Sequence, residues 1–91
     1  SDIPKSYRLS QNYPNPFNPV TNIAFDIPKS SYAVLRVFDM LGREVAMLIN
    51  EKLDAGSYRV NFDASNLSSG TYFYSLTTSN FSQTKKLTVI K

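Results

Sequence analysis

The sequence predicts an all-β domain, a seven-stranded immunoglobulin-like β-sandwich, and three observations carry that prediction. Apolar residues recur at every second position in short runs, with Ile23, Phe25 and Ile27 the clearest case, which is the period of a strand with one face buried. Clusters of Pro, Asn, Ser and Gly separate those runs at the short intervals a sandwich requires. Twelve serines, eight asparagines and six threonines in 91 residues suit exposed strand faces and turns rather than helices.

Taken in order, residues 1–5 read as the end of a linker and residues 6–91 as the domain, the chain being a piece of a longer protein. Ile3 to Ser10 holds Tyr7 and Leu9 in alternation, a short first strand. Between Asn12 and Pro19, three prolines within six residues remove three backbone donors and disfavour helix at each preceding residue. Asparagine side chains can bond to nearby backbone, so Asn15, Pro16, Phe17, Asn18 and Pro19 are expected to form a rigid loop with Phe17 as its plug into the core. The second strand follows and ends at Ile27. After the turn Pro28 to Ser31, Ala33, Leu35 and Val37 alternate with Val34, Arg36 and Phe38 as a third strand. Asp39 and Gly42 then occupy the first and last positions of a type I turn, with Gly42 free to take positive φ and start a bulge. The return arm, Arg43 to Asn50, carries Val45 and Leu48 at opposite parity, which predicts a bulge or bend.

The only glycines are Gly42, Gly56 and Gly70. The last two open similar segments, each with a tyrosine two residues on, and these predict the fifth and sixth strands. Before the sixth, Leu67 is the one large apolar residue of a polar loop and precedes Tyr72 by five positions. That spacing resembles a tyrosine corner, in which the hydroxyl bonds to backbone a few residues upstream. A turn at Thr78 to Asn80 leads into a last strand, Phe81 to Lys91, with Leu87 and Val89 facing inward.

Composition excludes several functions. Cysteine and histidine are absent, which removes disulfides and the commonest general base and metal ligand. No Asp-x-Asp-x-Asp-Gly loop exists for calcium, so Asp39 and Asp63 read as turn caps; no metal or cofactor is expected. No nucleophile has a visible base, so the domain is not expected to be an enzyme. Ten Lys and Arg against seven Asp and Glu give a net charge of +3, spread without the basic stripe that nucleic acid would require. Arg43 and Glu44 read as a surface pair. No apolar run approaches the roughly 20 residues of a membrane-spanning helix. Most aromatic rings fall on the apolar parity of their strands, leaving Tyr32 and Phe73 on the other face for a glycan or a protein.

Six segments in register resemble the type A C-terminal sorting domains of the type IX (Por) secretion system of Bacteroidetes-type bacteria. They are the Tyr7 to Pro28 opening, Val37 to Val45, Leu53 to Tyr58 with Phe62 to Ala64, Leu67 to Tyr74, and Thr84 to Leu87. Phe38 departs from the pattern, where the family more often carries Tyr. The immunoglobulin-like domain of the flagellar hook cap is similar in the two Gly-x-Tyr segments, but not in the proline-asparagine opening. The type IX resemblance implies a domain at the C-terminus of a secreted protein. It implies passage through the periplasm to an outer-membrane translocon, then removal by a sortase-like protease at the cell surface. Its partners would be that machinery and an upstream cargo domain in the same chain, with no small-molecule substrate, and the domain itself a monomer. The export signal of the family is thought to concentrate in the last strand, which singles out Lys85, Lys86 and Lys91 as candidates for translocon recognition. The alternatives are a carbohydrate-binding or adhesive accessory module of a secreted enzyme, and a structural spacer.

Overall fold

The computed structural model describes residues 3–91; of the expected linker, Ser1 and Asp2 lie outside the described residues. Seven strands are present: β1 (Arg8–Leu9), β2 (Val20–Ile27), β3 (Ser31–Phe38), β4 (Glu44–Leu53), β5 (Gly56–Asp63), β6 (Gly70–Thr77) and β7 (Ser82–Val89). They form two antiparallel sheets, β1-β2-β5 and β4-β3-β6-β7. The fourth strand therefore lies beside the third, whereas in constant-type immunoglobulin domains it joins the sheet of the first two.

Alternation in the sequence becomes alternation in burial. Ile23, Phe25 and Ile27 of β2 face Leu35 and Val37 of β3, Tyr74 and Leu76 of β6, and Leu87 and Val89 of β7, all buried in one core. Burying one such side chain contributes about 1.5–3 kcal/mol, so a thin core built from two inner faces suffices for a domain of this size.

Departures from simple alternation have local causes. The first strand is shorter than expected. Ladder pairing with β2 holds at Arg8–Leu9, the Ser10 N–H still bonds to the Ala24 carbonyl at 2.9 Å, and past buried Asn12 the pairing returns as an isolated bridge between Tyr13 and Asn22. In β4 the register with β3 slips between Leu35 and Arg36 and again between Val37 and Phe38, leaving Leu48 and Val45 opposite no residue. These are the two residues whose parity conflicts in the sequence. Each extra residue rotates the following side chains onto the other face.

The β3–β4 turn is held by Asp39. Its carboxylate accepts the backbone N–H groups of Leu41 and Arg43, both at 2.9 Å, and the Arg43 Nε–H at 2.8 Å. The guanidinium thus pairs with Asp39, not with Glu44 as expected; Glu44 lies 4.0 Å from Arg36 across the strands. Gly42 closes the turn at φ +83°, a conformation that L side chains adopt only under strain.

Candidate functional site

Strand pairing sorts the loops to two ends of a body 40 Å long. The chain enters at β1, beside the end of β2, where Ile27 pairs with Gly56 and Tyr7 stacks on Phe81 with its hydroxyl 3.1 Å from Ser31. At the opposite end lie the Asn12–Pro19 loop, the Asp39–Gly42 turn, the Ala64–Ser69 loop and Lys91. Of the residues picked out from the sequence, Asn15, Pro16, Phe17, Asn18, Pro19, Gly42, Leu67, Gly70, Tyr72 and Lys91 belong to this far end. Gly56 belongs to the entry end, and Lys85 and Lys86 sit partway along β7.

The proline-asparagine loop is a plug, as its sequence predicts. The peptide bonds before Pro14, Pro16 and Pro19 are cis, and Phe17 is 3% exposed with its ring 6.2 Å from that of Phe62. Behind it, buried Asn12 donates from Nδ2 to the Pro14 carbonyl and to Thr21 Oγ1, and accepts from Gln11 Nε2. Tyr74 ties this cluster to the other sheet: its hydroxyl accepts the Asn12 backbone N–H at 2.8 Å and donates to the Ser10 carbonyl at 2.6 Å. Burial, opposed by the bond from Asn12, pushes the Tyr74 hydroxyl up to about 12. The alternating pattern places Tyr74 in the core, but nothing in the sequence near it signals a partner more than sixty residues upstream.

Tyr72 makes the expected corner, donating to the Ser68 carbonyl at 2.8 Å. Sequence reasoning missed that Tyr58 does the same, to the Asp54 carbonyl at 2.6 Å. The two Gly-x-Tyr segments are one device used at both ends of the sandwich. Glycine is needed in only one of them: Gly70 sits at φ +150°, whereas a Cβ at Gly56 would meet only the Tyr58 ring at an ordinary 3.7 Å.

Between the Asp39 turn and the Ser69–Tyr72 segment lies a shallow groove of about 320 Å³, rimmed by Met40 and Leu41. Hydrogen bonds, first from the Arg43 backbone, hold the Asp39 carboxyl below its ordinary value. Asp63 is lowered by the hydroxyl and backbone N–H of Ser65, and so also acts as a turn cap. The two rings left for a glycan do not form a platform. Phe73 pairs with Phe38, while Tyr32 lies six residues earlier on that strand, about 20 Å away, with its hydroxyl on Asn50. Tyr13, grouped by the sequence with the core rings, is 80% exposed, because its bridge to Asn22 turns the ring outward.

The last strand is an edge of the four-stranded sheet, and only part of that edge is free. Thr88 donates its N–H to Asn15 Oδ1 at 3.0 Å and accepts from the Phe17 N–H at 3.1 Å. Ile90 donates to the Phe17 carbonyl, and the Lys86 carbonyl accepts from Gln11 Nε2. Even-numbered residues of β7 thus direct their backbone away from β6, as antiparallel alternation requires. Gln11 and the loop that follows it cover that row from the Lys86 carbonyl onward. Ser82, Thr84 and the N–H of Lys86 share the direction, and among the described residues no hydrogen bond reaches them.

Strand parity separates the two lysines: Lys86 is exposed on the outer face, and half-buried Lys85 lies on the inner side at the rim. Lys91 is elsewhere, its Nζ on the Ser65 carbonyl at 2.6 Å and its N–H on Ser69 Oγ.

The family model for the secretion system C-terminal sorting domain matches residues 11–91. Among solved structures, the chain is similar to PorZ, an essential bacterial surface component of the type IX secretion system of Porphyromonas gingivalis. The TM-score is 0.60 and the identity 18% over 93% of this chain, a likeness of fold. The chain spans 11% of the length of that protein. None of the curated proteins matches it at a significant level.

Proposed function

Since the chain belongs to the secretion system C-terminal sorting domain family, we propose that it is the address by which an outer-membrane type IX translocon takes up an upstream cargo from the periplasm. The coarse function follows from membership: a sorting domain engages the secretion machinery and accompanies its cargo to the cell surface or the extracellular space. The finer reading is that a sortase-like protease then removes the domain near its N-terminal side. The domain acts throughout as a monomeric substrate rather than a catalyst, and takes no cofactor or small-molecule ligand.

The family match across 11–91 carries this reading. The polarity of the fold supports it, because most matched motifs build the end opposite the one where the chain enters. Cargo held at the entry end leaves the far end clear for a receptor, and the open stretch of β7 begins at Ser82 beside the Tyr7–Phe81 stack and runs from the entry end toward it. Lys85, Lys86 and Lys91 are the recognition residues in this reading, with Lys91 closing the far end.

The test fuses the chain to a periplasmic reporter in a host carrying the secretion system. Wild type is expected outside the cell, and a fusion held in the periplasm defeats the reading. Lys85→Ser with Lys86→Ser is expected to lower export while shifting stability by no more than about 0.5 kcal/mol at exposed Lys86 and somewhat more at half-buried Lys85, whose stem packs at the rim.

A further inference from the structure

The open part of β7 has a definite chemistry. From Ser82 to the N–H of Lys86, one row of backbone groups faces away from β6 with no partner among the described residues, while the row beyond is covered by Gln11 and the Asn12–Pro19 loop. Flanking this opening are two ammonium groups on opposite sides of the sheet. Their cross-strand neighbours are Tyr74 for Lys85 and Phe73 for Lys86, and neither belongs to the two ion pairs among the described residues. An edge that exposes backbone is a template for another strand. A second copy is a poor occupant, because pairing two β7 edges brings their lysines together, and like charges directly opposite are destabilising.

We propose that this opening receives an extended acidic segment of a partner protein, added as a fifth strand beside β7 with two consecutive carboxylate residues at its centre. Consecutive residues of a strand point to opposite faces. One carboxylate therefore meets Lys86 on the outer face while its neighbour meets Lys85 on the inner rim, a pairing that a lone acidic residue cannot make. The backbone of Thr84 supplies one donor and one acceptor, the N–H of Lys86 supplies another donor, and the bound Gln11 side chain stops the added strand there. This inference rests on the sorting reading, since it names the chemistry by which the secretion machinery would hold the domain.

The test uses the whole chain and an eight-residue peptide alternating Thr and Val around a central Glu-Glu, with Gln-Gln and Lys-Lys counterparts. The Glu-Glu peptide is expected to bind about fivefold to tenfold more tightly than Gln-Gln at low salt, the range that two exposed ion pairs supply. Binding should slow amide exchange at Thr84 and Lys86. Lys85→Glu with Lys86→Glu should invert the preference toward the Lys-Lys peptide. Thr84→Pro, which removes an outward N–H and no ladder bond, should abolish binding of all three. Equal affinity for the three peptides, or protection appearing elsewhere while Thr84 stays unprotected, overturns the proposal. In the export assay, a wild-type fusion that is secreted together with a Thr84→Pro fusion secreted equally well overturns the edge site alone. A wild-type fusion that stays in the periplasm defeats the sorting reading instead.

Discussion

The two halves of the last strand have the same backbone, the same neighbour in β6 and opposite surroundings on their outer side. From Leu87 to Val89 the strand is clamped: core on one face, β6 along one edge, and the proline-asparagine loop along the other. From Ser82 to Lys86 it is an ordinary edge with charges on it. A fully open terminal strand would be prone both to fray and to pair with other chains. Clamping one half anchors the strand in register and leaves the other half available without exposing the core. The difference teaches that the loop more than seventy residues upstream, rather than β7 itself, decides how much of the edge a partner can reach.

The largest break in that comparison is expected from Phe17→Ala. The ring is the plug that seats the loop, and its removal should destabilise the domain by about 3 kcal/mol or more in urea denaturation. The backbone N–H groups of Thr88 and Ile90 should lose exchange protection at the same time, making the clamped half resemble the open one. Retained protection would mean that the loop holds the edge without its plug.

Next in size is Tyr74→Phe, which deletes the hydroxyl joining the loop to β6 and leaves the Asn12 N–H and the Ser10 carbonyl without it. The expected loss is about 2 kcal/mol. The folded-state value of about 12 lies above the ordinary 10.0, so the fold favours the protonated hydroxyl. That contribution is complete below pH 10 and is lost as pH rises through about 12. Wild type should therefore weaken in alkali more steeply than Tyr74→Phe, and parallel stability curves between pH 9 and 12 would contradict the assignment.

Much of this was legible in the sequence because the signals are local. Strict alternation in β2 and β3, the Asp39 to Gly42 turn, the Tyr72 corner and the Phe17 plug each depend on residues within a few positions of one another. The conflict of parity between Val45 and Leu48 revealed the irregularity of β4, though not that it comprises two register slips. What stayed hidden depends on pairs distant in the chain. Gln11 and Asn15 reach β7 across more than seventy residues, and no periodicity encodes such a contact. Lys85 and Lys86 read as a single charged pair because adjacency in sequence is opposition in a strand.

Tyr72→Phe comes next and sharpens the comparison from the β6 side. Losing the bond to the Ser68 carbonyl should cost about 1–2 kcal/mol, against a smaller loss for Tyr58→Phe, whose corner is exposed. Equal and negligible losses in a denaturation series would show that neither corner matters. Asn15→Ala should cost less, about 0.5–1 kcal/mol, since water can replace Oδ1 at the Thr88 N–H. Its distinctive result would be faster exchange at Thr88 with the Phe17 bonds intact.

The smallest effect belongs to the open half, and its smallness is the point. Thr84 directs its N–H outward, in the same sense as Thr88, but no group among the described residues receives it. Proline is tolerated on an edge strand where the missing N–H faces solvent, and the preceding Gln83 already has the extended backbone that proline favours. Thr84→Pro should therefore change stability by no more than about 0.5 kcal/mol, less than Asn15→Ala, although it is the harsher substitution of the two. A loss of about 2 kcal/mol or more, with disordered β6–β7 pairing in the amide spectrum, would mean that Thr84 donates into the sheet. The outward row would then run through the odd-numbered residues, and the division of β7 into a held half and an open half would collapse.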